Sequence, residues 1–166
     1  MKSRIRCISY AAIFAVSTGG CISRGSGPIP SPDALISSGN IHYENKRWAE
    51  ASAYYFQFLK NYKKHPAAEG ISFKYGYVLL FQATEMEHSI IAAQHFKGFQ
   101  SEYPRSKNAP QALYWAAAAY LVANDGKKAH KYFTRLIREY PKTKWAKYAA
   151  GRIHNTGTSW KHVEHE

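Results

Sequence analysis

Few residues in this 166-residue chain carry reactive groups in a setting that could use them. Of the two cysteines, Cys7 and Cys21, the second closes the stretch FAVSTGG, where small residues run directly into a thiol. A thiol placed there is an acceptor for covalent modification. At the other end HVEHE, His162 to Glu166, offers imidazole and carboxylate donors to a metal ion. The same residues read better as a solvated, unstructured tail over 156–166, so no metal site is expected. Glu85 and Glu87 are paired acids, but they fall in a turn where carboxylates are solvated. There is no phosphate loop, no HExxH and no serine or cysteine in a recognisable nucleophile setting. The expectation is a protein with no catalytic residues and no cofactor, not an enzyme.

What precedes Cys21 explains its position. Lys2, Arg4 and Arg6 open the chain with no acid among them, and Cys7 to Val16 is an apolar core. Ser17, Thr18, Gly19 and Gly20 follow. A basic start, a short apolar core and a small-residue end read as a secretory signal peptide over 1–20. The core is too short to span a bilayer, which needs about 20 apolar residues. The end of the segment resembles a bacterial lipoprotein box. That resemblance implies cleavage before Cys21, lipid on its thiol, and, because Ile22 rather than Asp follows, residence in the outer membrane facing the periplasm. The alternative is an ordinary cleavage near Thr18 or Gly20 that leaves Cys21 a free thiol. Once Cys7 departs with the leader, no internal disulfide is possible, and a lone thiol in an oxidising compartment is disfavoured unless capped. One acyl chain anchors only marginally at about 0.8 kcal/mol per methylene, so stable anchoring needs several.

Residues 21–31, rich in Gly, Ser and Pro, read as a flexible tether from the lipid to the folded part. The remainder is one domain's length. The whole chain's formal charge of +12 falls by three when Lys2, Arg4 and Arg6 leave. In an exported protein the matching anions are lipid headgroups, cell-wall polymer or an acidic protein face. In an unprocessed cytoplasmic protein they would be nucleic acid.

From Ser31 onward, apolar residues recur at three and four spacing with no alternating strand pattern, so the chain reads as all-α. It also repeats itself. AAQHFKGFQSEYPRS from Ala92 superimposes on AHKYFTRLIREYPKT from Ala129 as Ala-x3-Phe-x7-Pro: Ala92, Phe96, Pro104 and Ala129, Phe133, Pro141. A weaker copy has Ala51, Tyr55, Phe58 and Tyr62, its proline slipping to Pro66. The intervening segments align Ile36 with Phe73 and Tyr114, and Gly39 with Gly76 and Ala117. Four extra residues fall around Ala83 to Glu87. The predicted helices lie near 32–45, 47–63, 67–84, 88–103, 109–124 and 127–140, with a last one near 144–154.

This pattern resembles the tetratricopeptide repeat, in which small residues let paired helices touch and proline follows a helix end. The resemblance covers 32–155 and implies a right-handed superhelix of about three helical hairpins plus a C-terminal capping helix. The YPxSxxAxxA connectors and the lipoprotein-like start are similar to those of envelope repeat proteins of Gram-negative bacteria. One such family is the BamD-like lipoproteins of outer-membrane protein assembly. The other is the C-terminal repeat domain of the CpoB (YbgF) proteins of the Tol–Pal system, which NAPQALYWAAAAYLVANDGKKAHKYF resembles. Both are non-catalytic scaffolds, so the implied partners are envelope proteins, with the membrane reached through the lipid and no nucleic acid bound.

In that family the first helix of each hairpin lines the binding groove. Carried over, the groove is Ile36, Phe73 and Tyr114 in one row, Asn40 and Tyr77 in the next, with Gln111. A second surface comes from charge alone. Lys127, Lys131, Arg135 and Arg138 recur at four, four and three on one helix face, within a region whose acid is Glu139. That face reads as solvated, or as a basic docking face for an acidic partner or anionic headgroups.

Overall fold

A computed structural model describes residues 28–83 and 86–156. The leader, Cys21, most of the tether, Glu85 and HVEHE lie outside those residues. The described residues form seven helices and no strand: α1 Pro32–Glu44, α2 Trp48–Asn61, α3 Ala68–Gln82, α4 Met86–Glu102, α5 Ala109–Val122, α6 Gly126–Glu139 and α7 Lys144–Thr156. Each packs on the next, and α7 also packs on α5. The architecture is the expected one of helical hairpins α1–α2, α3–α4 and α5–α6 with a closing helix.

Helix ends follow from local chemistry. Ser31 Oγ accepts the Ala34 amide at 3.3 Å and Pro32 occupies the first turn of α1, where its missing N–H costs nothing. Asp125 caps α6 by accepting the Lys128 amide at 3.0 Å. The turns inside the first and third hairpins are the same motif. Lys46 and Asn124 both have φ 56°. The next amide reaches back over the helix end, Arg47 to the His42 carbonyl at 2.9 Å and Asp125 to the Tyr120 carbonyl at 2.8 Å. This left-handed closure satisfies carbonyls that a helix end leaves bare.

The second hairpin differs. Its extra residues do not swell the turn alone: α4 starts at Met86 and runs 17 residues, against 14 in α2 and in α6. Most of the insertion is an added N-terminal stretch of helix.

The three connectors between hairpins share one geometry. The amides of His65, Ser106 and Thr143 donate to the carbonyls of Tyr62, Tyr103 and Tyr140 at 3.0, 3.0 and 3.1 Å. The His65, Ser106 and Thr143 side chains then accept amides of Ala67, Asn108 and Ala146. By this register the counterpart of Pro104 and Pro141 is Lys63, not Pro66. Tyr62 and Tyr140 nonetheless adopt the same backbone, φ −129° and −133°. Proline therefore reinforces the helix stop, and the tyrosine and the turn that follows it produce it.

Within each hairpin a second-helix ring lies on a small first-helix residue. A Cβ on Gly39 would stand 2.5 Å from Tyr55 Cε1, and one on Gly76 would stand 2.6 Å from Phe96 Cε1. Tyr55 and Phe96 are fully buried, so neither ring can retreat. Alanine fills the same register at Ala117, which lies in one buried cluster with Phe133. Ala51, Ala92 and Ala129 are likewise fully buried. The lack of a polar face on α5 has a simple cause: it sits among α4, α6 and α7, and eight of its residues from Ala109 to Tyr120 are buried.

A half-buried imidazole lies in this packing. His95 Nε2 donates to the Ser72 carbonyl at 2.8 Å, and Tyr75 meets its ring edge-on at 5.0 Å. Burial holds its pKa below the usual imidazole value, against the opposing pull of the Ser72 carbonyl and of Glu102.

Two measurements check this account. Gly76→Ala should destabilise by about 1–3 kcal/mol through overpacking. Gly98→Ala, in the same hairpin with open space around it, should stabilise by about 0.5–1 kcal/mol through helix propensity. Equal melting temperatures would refute the close approach. For His95, an unfolded imidazole takes up a proton below about pH 6.5 while the folded one refuses it. Stability should therefore fall as pH drops through the unfolded pKa, levelling off below the folded one. His95→Gln should flatten that loss in denaturant titrations; an unchanged acid slope would assign it elsewhere.

Candidate partner-binding face

The first helices α1, α3, α5 and α7 meet side by side through their side chains. On α3, Phe73, Tyr77 and Phe81 recur every four residues and share one stripe. The stripe is welded by ring contacts: Phe73 meets Tyr77 edge-on at 5.1 Å, and Tyr77 lies parallel to Phe81 at 6.3 Å. Phe81 also stacks on Trp48 at the start of α2, 5.0 Å away. The stripe then crosses to α5. Trp115 Nε1 donates to the Tyr77 hydroxyl at 2.6 Å, and Gln111 Nε2 donates to the same oxygen. From α5 it crosses to α7, with Tyr114 5.3 Å from Trp145 and 6.3 Å from Tyr148. On the α1 side, Asn40 Oδ1 accepts from Lys74 Nζ at 2.8 Å and from the Tyr55 hydroxyl at 2.9 Å. Lys74 also lies over the Tyr43 ring.

The six groove residues drawn from the sequence resolve into a supporting layer. Ile36, Asn40, Phe73, Tyr77, Gln111 and Tyr114 are all half-buried. Ile36 packs on the N-terminal core, Phe73 on Phe96 and Phe99, and Tyr114 on Phe133. Burial raises the Tyr77 pKa, with the Trp115 and Gln111 donors opposing the rise. The phenol stays neutral and serves as an acceptor. These residues position the face, and others present it. Phe81, Val122 and Tyr148 are 56, 62 and 54% exposed. Phe81 and Val122 each follow the row of Asn40, Tyr77 and Ala118 by one turn, at Tyr77 plus four and at Ala118 plus four. That spacing was a signal available in the sequence. Trp145 and Tyr148 could not be found that way. The helix carrying them was read as a cap, but α7 occupies the place of a further first helix and completes the face.

The basic helix face is divided. Lys127, Lys131 and Arg138 are exposed. Arg135 instead reaches between helices, donating to Gln100 Oε1 at 2.7 Å and to Glu139 Oε1 at 2.8 Å. Gln100 is buried and donates in turn toward Glu139 and the Tyr140 hydroxyl. Arg135 thus holds α6 to α4. Among the described residues, no group of three or more His, Cys, Asp or Glu could hold a metal ion, and no helix is long and apolar enough to cross a membrane.

In comparison with known families, residues 111–143 match the tetratricopeptide repeat. That segment runs from the first turn of α5 to the end of the connector before α7, which is one hairpin with its outgoing turn. No curated protein sequence matches the chain. Tetratricopeptide repeats generally mediate contacts between proteins, and here the repeat contributes Tyr114, Trp115 and Val122 to the face.

Tyr77→Phe removes the acceptor shared by Gln111 and Trp115 and leaves two half-buried donors unpaired. It should cost about 1–3 kcal/mol of stability. Tyr148→Phe, on an exposed ring, should change stability by less than about 0.5 kcal/mol. Denaturant melts of both variants distinguish a structural layer from a presented one, and equal effects would refute the division.

Proposed function

We propose that this chain is a non-catalytic, lipid-anchored scaffold of the bacterial outer membrane that captures protein partners on its first-helix face and serves outer-membrane protein assembly. The observation that carries the binding reading is the exposure of Phe81, Val122 and Tyr148 on a face whose remaining aromatics are locked by ring contacts and hydrogen bonds. A rigid backing presents apolar anchors at little ordering cost, which is what a binding hot spot needs.

The anchoring reading rests on the sequence around Cys21. The basic start, apolar core and small residues before the thiol resemble a lipoprotein leader, and the connectors resemble those of BamD-like lipoproteins. A second reading, coordination of the envelope in the manner of the CpoB-like proteins, has one specific support. The sequence of residues 108–133 resembles those proteins. Crosslinked capture from membranes identifies which set of partners is held.

Two tests apply. Phe81→Ser with Tyr148→Ser should abolish partner capture at low and high salt while helicity is kept. Capture at the parent level would remove the first-helix face from the binding reading. Mass spectrometry should find an acylated Cys21 at the mature N-terminus, and Cys21→Ser should release the protein from membranes. A free Cys21 thiol on the isolated protein, with the Ser variant still membrane-bound, would end the lipoprotein reading.

A further inference from the structure

The three connectors between hairpins lie in one hydrogen-bonded row. The Tyr140 hydroxyl donates to the Pro104 carbonyl at 3.0 Å, joining the α6–α7 connector to the α4–α5 connector. Ser106 Oγ donates to Glu69 Oε1 at 2.7 Å, joining that connector to the first turn of α3. The Tyr62 hydroxyl donates to the Pro30 carbonyl at 2.9 Å, joining the α2–α3 connector to the lead-in of α1. All three connectors and the chain's approach to α1 therefore share one edge of the stack.

That edge is cationic. Each hairpin's outgoing connector presents two exposed cations, in the connector or at the first residue after it: Lys63 and Lys64, Arg105 and Lys107, Lys142 and Lys144. No acid lies within residues 62–67, 103–108 or 140–143. Acids occur only at the flanking helix ends: Asp33, Glu69, Glu102 and Glu139. Two of these are engaged, Glu69 by Ser106 and Glu139 by Arg135. The opposite edge is mixed, with Glu44 beside Lys46 and Arg47, and Asp125 paired to Lys128 at 2.6 Å. The cationic edge also carries an apolar tip. Ile29, next to the tied Pro30, is 60% exposed.

We propose that this row of connectors docks on an anionic phospholipid surface. Cations on short turns, pinned by backbone hydrogen bonds, suit a sheet of phosphates, and one exposed isoleucine beside them suits the headgroup–acyl boundary. The proposal is independent of partner capture on the first-helix face. It also stands without a lipid on Cys21, although such a lipid, nine residues before Pro30, would tether this same edge to the bilayer. The first-helix aromatics would then be held at a fixed height beside the membrane.

The test uses the full chain with Cys21→Ser, so that no acyl chain contributes, and vesicles of phosphatidylcholine with or without phosphatidylglycerol. Co-sedimentation should depend on phosphatidylglycerol and weaken with salt. Lys63→Gln, Arg105→Gln and Lys142→Gln together should lower the partition coefficient on the order of a hundredfold, about fivefold per cation. Lys46→Gln, Lys127→Gln and Lys131→Gln, an equal charge change away from the edge, should lower it by less than about tenfold. Circular dichroism checks folding; should the edge triple lose helicity, its three single variants are measured, each expected to lose about fivefold. Equal loss in the two triples would show general charge attraction and overturn the proposal. So would equal binding to pure phosphatidylcholine. Binding to polyglutamate without binding to anionic vesicles would assign the edge to an acidic protein instead.

Discussion

The fold depends on how closely the two helices of each hairpin approach. Tyr55 on Gly39 and Phe96 on Gly76 leave no room for even one methyl group. In the third hairpin Ala117 holds the same register, in one buried cluster with Phe133. Close approach aligns the second helix against the first and fixes where the first helix's next side chains point. The first-helix face is in that sense set from behind. Phe73 can meet Tyr77 on one side and Phe96 and Phe99 on the other only because Gly76 lets α4 come close.

From that constraint the chain separates two kinds of aromatic residue that look alike in the sequence. Half-buried rings and amides form a layer centred on Tyr77, whose hydroxyl accepts from Trp115 and Gln111. Phe81 and Tyr148 touch that layer with one side of the ring and remain more than half exposed. The same division runs through the basic residues. Arg135 bridges α4 and α6 through a buried glutamine, while Lys127 and Lys131 remain in water. Among side chains of one type, position on the helix decides between structure and surface, and within a helix a single turn is enough to change the outcome.

Repetition has a further consequence at the edges of the stack. Each hairpin contributes one inner turn and one outgoing connector, so anything placed in a connector is copied along one edge. The connectors share backbone bonds from His65, Ser106 and Thr143 to the preceding tyrosines. Lys64, Arg105 and Lys142, each two residues past its tyrosine, are consequently presented in register, and the two edges come to differ in charge although they belong to the same helices.

Much of this was legible before any coordinates. The recurrence of Ala92, Phe96 and Pro104 at Ala129, Phe133 and Pro141 determined the hairpins, their number and the small residues at their contacts, because a three-and-four periodicity has no other economical solution than paired helices. Helix bounds followed from Ser31–Pro32 and Asn124–Asp125, whose chemistry is local. What the sequence alone could not decide was which half of an amphipathic stripe is consumed by packing. The six residues carried over as groove are half-buried, because exposure depends on the neighbouring helices, which are distant in sequence. Nor could it place α7, whose Trp145 and Tyr148 become part of the face only by lying on Tyr114, or turn Arg135 inward to Gln100, 35 residues away. The insertion near Ala83 was visible, but its absorption into α4 was not, since extra residues extend a helix or a turn according to what the added turn can pack against. Local rules fixed the elements; contacts between elements far apart in the chain fixed which side chains face the solvent.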